Sequence, residues 1–115
     1  IHSEYLKIDL NGEAEKIDCQ IRAFSEKPGA FLDFLLKGKK KRVKILKAQL
    51  HSNNFNSEPG HILSSDKQSL IVQCKKGSLE LLELQLEGKK VQKTSEFLLG
   101  YPKEAIDFIS LLKIV

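Results

Sequence analysis

The sequence predicts a mainly β domain: a small barrel of five short strands, preceded by one helix and followed by one or two more. Three observations carry that expectation. Apolar residues alternate with polar ones over short stretches, and Gly, Pro and Asn turn signals separate those stretches. Two of the stretches, 42–50 and 78–86, slip by one residue partway along. A β-bulge in a curling strand has that effect. Ahead of them, Ala14, Ile17, Ile21 and Phe24 recur at three- and four-residue spacing, the stripe of an amphipathic helix.

Residues 1–10 read as an extended lead-in, with Tyr5, Leu6 and Ile8 free to dock, and residues 11–115 as the domain proper. Asn11 is the expected N-cap of the first helix. Glu13 and Glu15 would lie in its first turn, where negative charge suits the helix dipole. The helix should stop before Pro28, whose ring disfavours a helical residue ahead of it. Ala30–Leu36 reads as a strand buried on much of both faces, Gly38 as a turn, and Arg42–Leu50 as the second strand. In that strand Val43 and Ile45 keep one phase and Leu46, Ala48 and Leu50 the other. The polar stretch 51–58 is a connector ending at Pro59-Gly60. His61–Ser64 reads as a third strand and Ser65-Asp66-Lys67 as a turn. Ser69–Cys74 and Ser78–Leu86 then form a hairpin through Lys76-Gly77, because Gly takes the positive φ a tight turn needs. The switch from Leu79 and Leu81 to Leu82, Leu84 and Leu86 predicts a bulge at Leu81-Leu82. Thr94 should cap a short helix that carries Phe97 and Leu98 and stops at Gly100. Glu104–Leu112 reads as a last helix, with Ala105, Ile109 and Leu112 on one face.

A chain of 115 residues buries one modest core. Its 41% hydrophobic and 30% charged content is ordinary for a globular protein, and no stretch is long enough to cross a bilayer. The opening Ile1-His2-Ser3-Glu4 lacks the basic-then-apolar pattern of a leader. The absence of Met, position 1 included, is expected of a piece of a longer chain or a processed product. Cys19 and Cys74 read as small buried or half-buried residues in a reducing cytosol, left unpaired. His2, His51 and His61 lack metal-ligand spacing. No nucleophile, general base or glycine-rich phosphate loop stands out, so the domain is expected to be non-catalytic and to hold no cofactor of its own.

Charge is the informative feature. Lys37–Lys47 holds seven cations in eleven residues and no acid. Subtracting them from the 19 basic residues leaves 12 against 15 acidic ones, so the positive balance is local. One or two lysines suffice to blunt an edge strand. Seven favour a polyanion-binding surface. Lys89 and Lys90, after Gly88, form a second cluster. Arg22 lies among apolar residues, and two readings stay open: a stem snorkelling over the barrel rim, or a phosphate contact.

Further landmarks point to a family. Leu84-Gln85-Leu86-Glu87-Gly88-Lys89-Lys90 follows a strand, Lys-Gly, strand hairpin and is preceded by Pro59-Gly60-His61-Ile62. Upstream stand Ile8-Asp9-Leu10, Ile21-Arg22-Ala23-Phe24 and Pro28-Gly29-Ala30-Phe31, and downstream Glu96-Phe97-Leu98-Leu99-Gly100. In order and spacing over about residues 4–100, the chain resembles the C-terminal domain of methionyl-tRNA formyltransferases. It departs from that pattern at Lys27, where a Trp is usual.

The resemblance implies a five-stranded OB-like barrel that helps hold the acceptor arm of initiator methionyl-tRNA. A separate N-terminal catalytic domain, in cis, would transfer the formyl group from 10-formyltetrahydrofolate. It also implies a cytoplasmic monomer with no membrane partner. The expected RNA-binding residues are Arg22, Lys39, Lys40, Lys41, Arg42, Lys44, Lys89 and Lys90. Two alternatives belong to other classes. One is a structural appendage of a sugar-nucleotide or folate-linked formyltransferase. The other is a free-standing single-strand-binding OB module, which would stack bases on exposed aromatics; aromatics make up only 7% of this chain.

Overall fold

The computed structural model describes residues 6–25, 28–54 and 57–108. Helix α1 (Ala14–Phe24) is followed by β1 (Phe31–Leu36), β2 (Lys39–Ser52), β3 (Leu70–Gln73), β4 (Ser78–Leu86) and β5 (Val91–Lys93). Helix α2 (Thr94–Gly100), a 3-10 turn (Lys103–Ala105) and β6 (Ile106–Phe108) complete the described chain. The six strands form one sheet in the order β3-β4-β2-β1-β6, with β5 also paired to β4, and every ladder is antiparallel. The sheet curls as a half-barrel with helices flanking it, the mainly β class expected.

Both phase slips are bulges. Across the β2–β4 ladder Ile45 pairs with Leu84 and Lys47 with Glu83, which leaves Leu46 extra on β2. Lys47 to Ala48 then spans Glu83 to Leu81, which leaves Leu82 extra on β4. Each strand bends where its apolar phase changes. On β4, Leu79 and Leu81 before the bulge and Leu84 and Leu86 after it are all buried, whereas Leu50 near the end of β2 is exposed.

Apolar side chains fill the concave face. Ala14, Ile17 and Ile21 of α1 close one side, with Leu32, Phe34, Val43, Ile45, Leu70, Leu79 and Leu84 beneath. Phe34, fully buried, meets Phe97 edge-on at 6.0 Å and Phe108 at 5.0 Å. The lead-in docks as expected: Leu6 and Ile8 are buried, and the Ile8 N–H donates to the Phe31 carbonyl at 2.8 Å. Tyr5 lies outside the described residues.

Several local expectations give way to tertiary partners. Helix α1 begins at Ala14, three residues after Asn11. The Ala14 N–H donates to the Lys76 carbonyl, and Asn11 instead donates its own N–H to the Asp9 carboxylate. His61–Ser64 is not a strand. It joins β3 through one bridge, Ile62 to Val72, and a few backbone bonds such as Leu63 N–H to Ile71. Thr94 is the first helical residue of α2 rather than its cap, and its buried hydroxyl donates to the Leu81 carbonyl. The described part of Glu104–Leu112 is not an α-helix either: Glu104 and Ala105 belong to the short 3-10 turn, and the chain is extended from Ile106. Ile106 and Phe108 alternate inward against Phe34–Leu36, so a strand buries them where a helix was expected. Ile109 and Leu112 lie outside the described residues.

Candidate nucleic-acid interface

The basic run is built on a hairpin whose turn fixes its register. Lys37 (φ 52) and Gly38 (φ 82) both have positive φ and make a two-residue turn closed by Leu36 opposite Lys39. That geometry matches the right-handed twist of the flanking strands. Counting outward from the turn, Leu35 faces Lys40, Phe34 faces Lys41, Asp33 faces Arg42 and Phe31 faces Lys44. Directly paired residues share a face of the sheet. Val43 and Ile45 point into the core. Lys40, Arg42 and Lys44 therefore occupy the outer face, whereas Lys39 and Lys41 lie on the inner face opposite Leu36 and Phe34, exposed where β2 runs past its ladder with β4.

Arg42 is held from two directions. Its guanidinium carbon lies 3.9 Å over the Phe31 ring, and its Nε is 3.8 Å from the Asp33 carboxylate. The Asp33 side chain is 6% exposed and that of Arg42 46%, so a buried acid anchors a half-exposed cation. The pair is too long for a hydrogen bond, and the half-exposed guanidinium makes none to the protein among the described residues, so its planar donors are available to a phosphate. Part of the Arg42 charge is offset in return. The Lys44 stem packs over Gly29, where an added Cβ would come within 3.1 Å of Lys44 Cδ.

The turn from β4 to β5 comes against this pair. The Glu87 N–H donates to the Arg42 carbonyl at 3.0 Å, and the Gln85 amide donates to the Lys89 carbonyl at 3.0 Å. Arg42, Lys44, Gln85, Glu87 and Gly88 line a shallow cleft of about 170 Å³. Lys89 and Lys90 are exposed beside it. Arg22 is placed apart: it pairs with Asp18 at 3.4 Å within α1 and donates to the Cys19 sulfur at 3.3 Å. Among the described residues, no hydrogen bond or ion pair joins it to the hairpin.

Asp33 is the site residue that sequence reading passed over. Its signal was available, because a Lys-Gly two-residue turn sets Asp33 opposite Arg42 by counting alone. Elsewhere Cys19 is exposed, neither buried nor half-buried as expected, while Cys74 is buried and both thiols are free. Burial pushes the Cys74 thiol up to about 12. His51 and His61 are exposed; His2 lies outside the described residues. Among the described residues, no three His, Cys, Asp or Glu side chains are placed to hold a metal ion, and no helix is long and apolar enough to cross a membrane.

Comparison with known proteins places this geometry in a family. The description "Formyl transferase, C-terminal domain" matches residues 1–102. Methionyl-tRNA formyltransferase of Orientia tsutsugamushi is 37% identical over 95 residues, 83% of this chain and 30% of its own length. The protein of that name from Dictyoglomus turgidum is 45% identical over 97 residues, 82% of this chain and 30% of its own. The chain thus spans about 30% of the length of these curated relatives. Variants of HypX from Aquifex aeolicus share the fold. One aligns with a TM-score of 0.65 over 85% of this chain and 18% of its own at 16% identity. Another gives 0.62 over 94% of this chain and 21% of its own at 21% identity. With the hairpin, the two bulges and the Gly-Lys-Lys corner all in place, the chain belongs to the formyl transferase C-terminal domain family.

Proposed function

We propose that this domain grips the acceptor arm of initiator methionyl-tRNA while a catalytic domain elsewhere in the protein transfers the formyl group from 10-formyltetrahydrofolate. The observation that carries the reading is the outward convergence of Arg42 and Lys44 against the Gly88 turn that bears Lys89 and Lys90. Relatives that bear the name methionyl-tRNA formyltransferase supply the RNA and the reaction. The domain's own task is electrostatic. Cations held on a rigid hairpin meet phosphates without paying to order a loop. Such contacts set position and carry no base identity. Choice of the initiator would then fall to the catalytic domain.

One observation favours a second reading. Asp33 offsets Arg42, and Glu87 stands in the same cleft, which reduces the net field of the outer face. A structural appendage of another formyltransferase needs no more than that. Electrophoretic retardation of tRNA by this chain at 50 mM salt separates the two readings. Retardation supports the RNA-handling role, and its absence leaves the appendage. Tighter binding to oligothymidine than to folded tRNA would instead mark a single-strand-binding module.

A further inference from the structure

Strand β2 presents four consecutive outward residues, and all are basic: Lys40, Arg42, Lys44 and Lys47. The last is there because of the bulge. In an unbroken strand the residue two beyond Lys44 is Leu46, and Lys47 would point inward with Ile45. The extra residue at Leu46 resets the phase, so Lys47 pairs with Glu83 while Ala48 packs towards the core opposite Leu81. Outward side chains along a regular strand recur about every 6.6 Å, two rises of about 3.3 Å, and the step from Lys44 to Lys47 takes in one residue more. That repeat is comparable with the separation of successive phosphates along one nucleic-acid strand.

The ammonium groups are also free to bind. Among the described residues Lys40, Lys44 and Lys47 make no ion pair, whereas Arg42 is fixed by Phe31 and Asp33. Beyond the bulge the face opens into a cleft of about 300 Å³ whose lining sets Lys47 and Lys93 beside Glu80 and Glu83. Lys93 lies across Glu83 from Lys47. Room for a backbone therefore continues beyond the bulge, away from the tip of the hairpin.

We propose that β2 is a rail for a single sugar-phosphate strand, with Lys47, turned outward by the bulge, as its fourth phosphate contact. This rests on the RNA-handling reading above and sharpens it. The rail runs along β2, not around the hairpin tip, and one of its cations is set by a strand irregularity. The competing explanation is that Lys47 only offsets Glu83.

The test is the salt dependence of tRNA binding by the chain and its variants, with thermal melting to verify the fold. Lys47→Gln should lower the slope of log K against log salt by about 0.9 and weaken binding about fivefold at 0.15 M salt. Lys47→Arg should keep the slope. Lys41→Gln, on the other face of the same hairpin, should lower it less, and Lys16→Gln on α1 should leave it unchanged. In the double variant Lys47→Gln with Glu83→Gln, the slope should stay reduced. A restored slope there, or an unchanged slope in Lys47→Gln while the parent chain binds tRNA, overturns the rail alone. Failure of the parent chain to bind tRNA overturns the RNA-handling reading and the rail with it.

Discussion

Replacing Gly77 by Ala should destabilise the fold far more than the same change at Gly88, although the two backbones are alike. Gly77 has φ +82 and Gly88 φ +80, so a side chain at either position meets the left-handed penalty, about 1–2 kcal/mol. The reduced freedom of the unfolded chain returns about 0.4–1 kcal/mol at each. At Gly88 nothing lies within 4 Å of the added Cβ, so the net loss there is about 1 kcal/mol. At Gly77 the Cβ would stand 2.6 Å from the Ser52 carbonyl oxygen and 3.1 Å from the Ala14 Cβ. Relief requires moving the end of β2 or the first turn of α1, both backbone, and overpacking of that kind adds about 1–3 kcal/mol. The difference between the variants should be about 1–3 kcal/mol. Urea unfolding followed by far-ultraviolet circular dichroism measures it. Equal midpoints for the two variants would refute the claim that the β3–β4 turn, β2 and α1 close on one another at Gly77.

Other outcomes follow from the same structure. Asp33→Asn should cost less than about 1 kcal/mol, because its partner Arg42 is half exposed. It should tighten tRNA binding about twofold, the worth of one charge at about 8 Å in a water-like dielectric. A tenfold loss on gel retardation would show that aiming Arg42 outweighs its field. Cys19 should react promptly with a thiol reagent at neutral pH and Cys74 only on unfolding, given its burial and a thiol pushed up to about 12. Two equivalents of fast labelling in the native chain would contradict that. The Asp66 carboxyl is held below its usual value by N–H groups of Gln68 and Ser69 and by the Ser69 hydroxyl. A lowered folded pKa stabilises above the unfolded value and is lost as pH falls through the folded one. Amide exchange at Gln68 and Ser69 should therefore rise, relative to an unstructured peptide, only below the ordinary aspartate range. Loosening between pH 5 and 7 would argue against it.

Much of the fold was legible because its turns and bulges leave marks in the residue pattern. Gly38, Gly77 and Gly88 all take positive φ where the sequence placed corners, and Leu46 and Leu82 are the extra residues that the phase slips demanded. Strands β5 and β6 were not legible, since three residues carry too little periodicity to tell a strand from a loop or a helix end. The start of α1 was hidden for a different reason. The Lys76 carbonyl that receives the Ala14 N–H arrives from another part of the chain. At the candidate site, charge density was visible but its division between faces was not. Lys39 and Lys41 separate from Lys40, Arg42 and Lys44 only once the register is known. Lys47 joins the outer row only once the bulge is placed.

The most direct test of the electrostatic account is the affinity of this chain for tRNA measured from 50 to 200 mM salt. Four phosphate contacts predict a logarithmic slope of about −3.6 and a loss of about a hundredfold across that range. Binding that is absent at 50 mM, or that persists with a slope near zero, would contradict it.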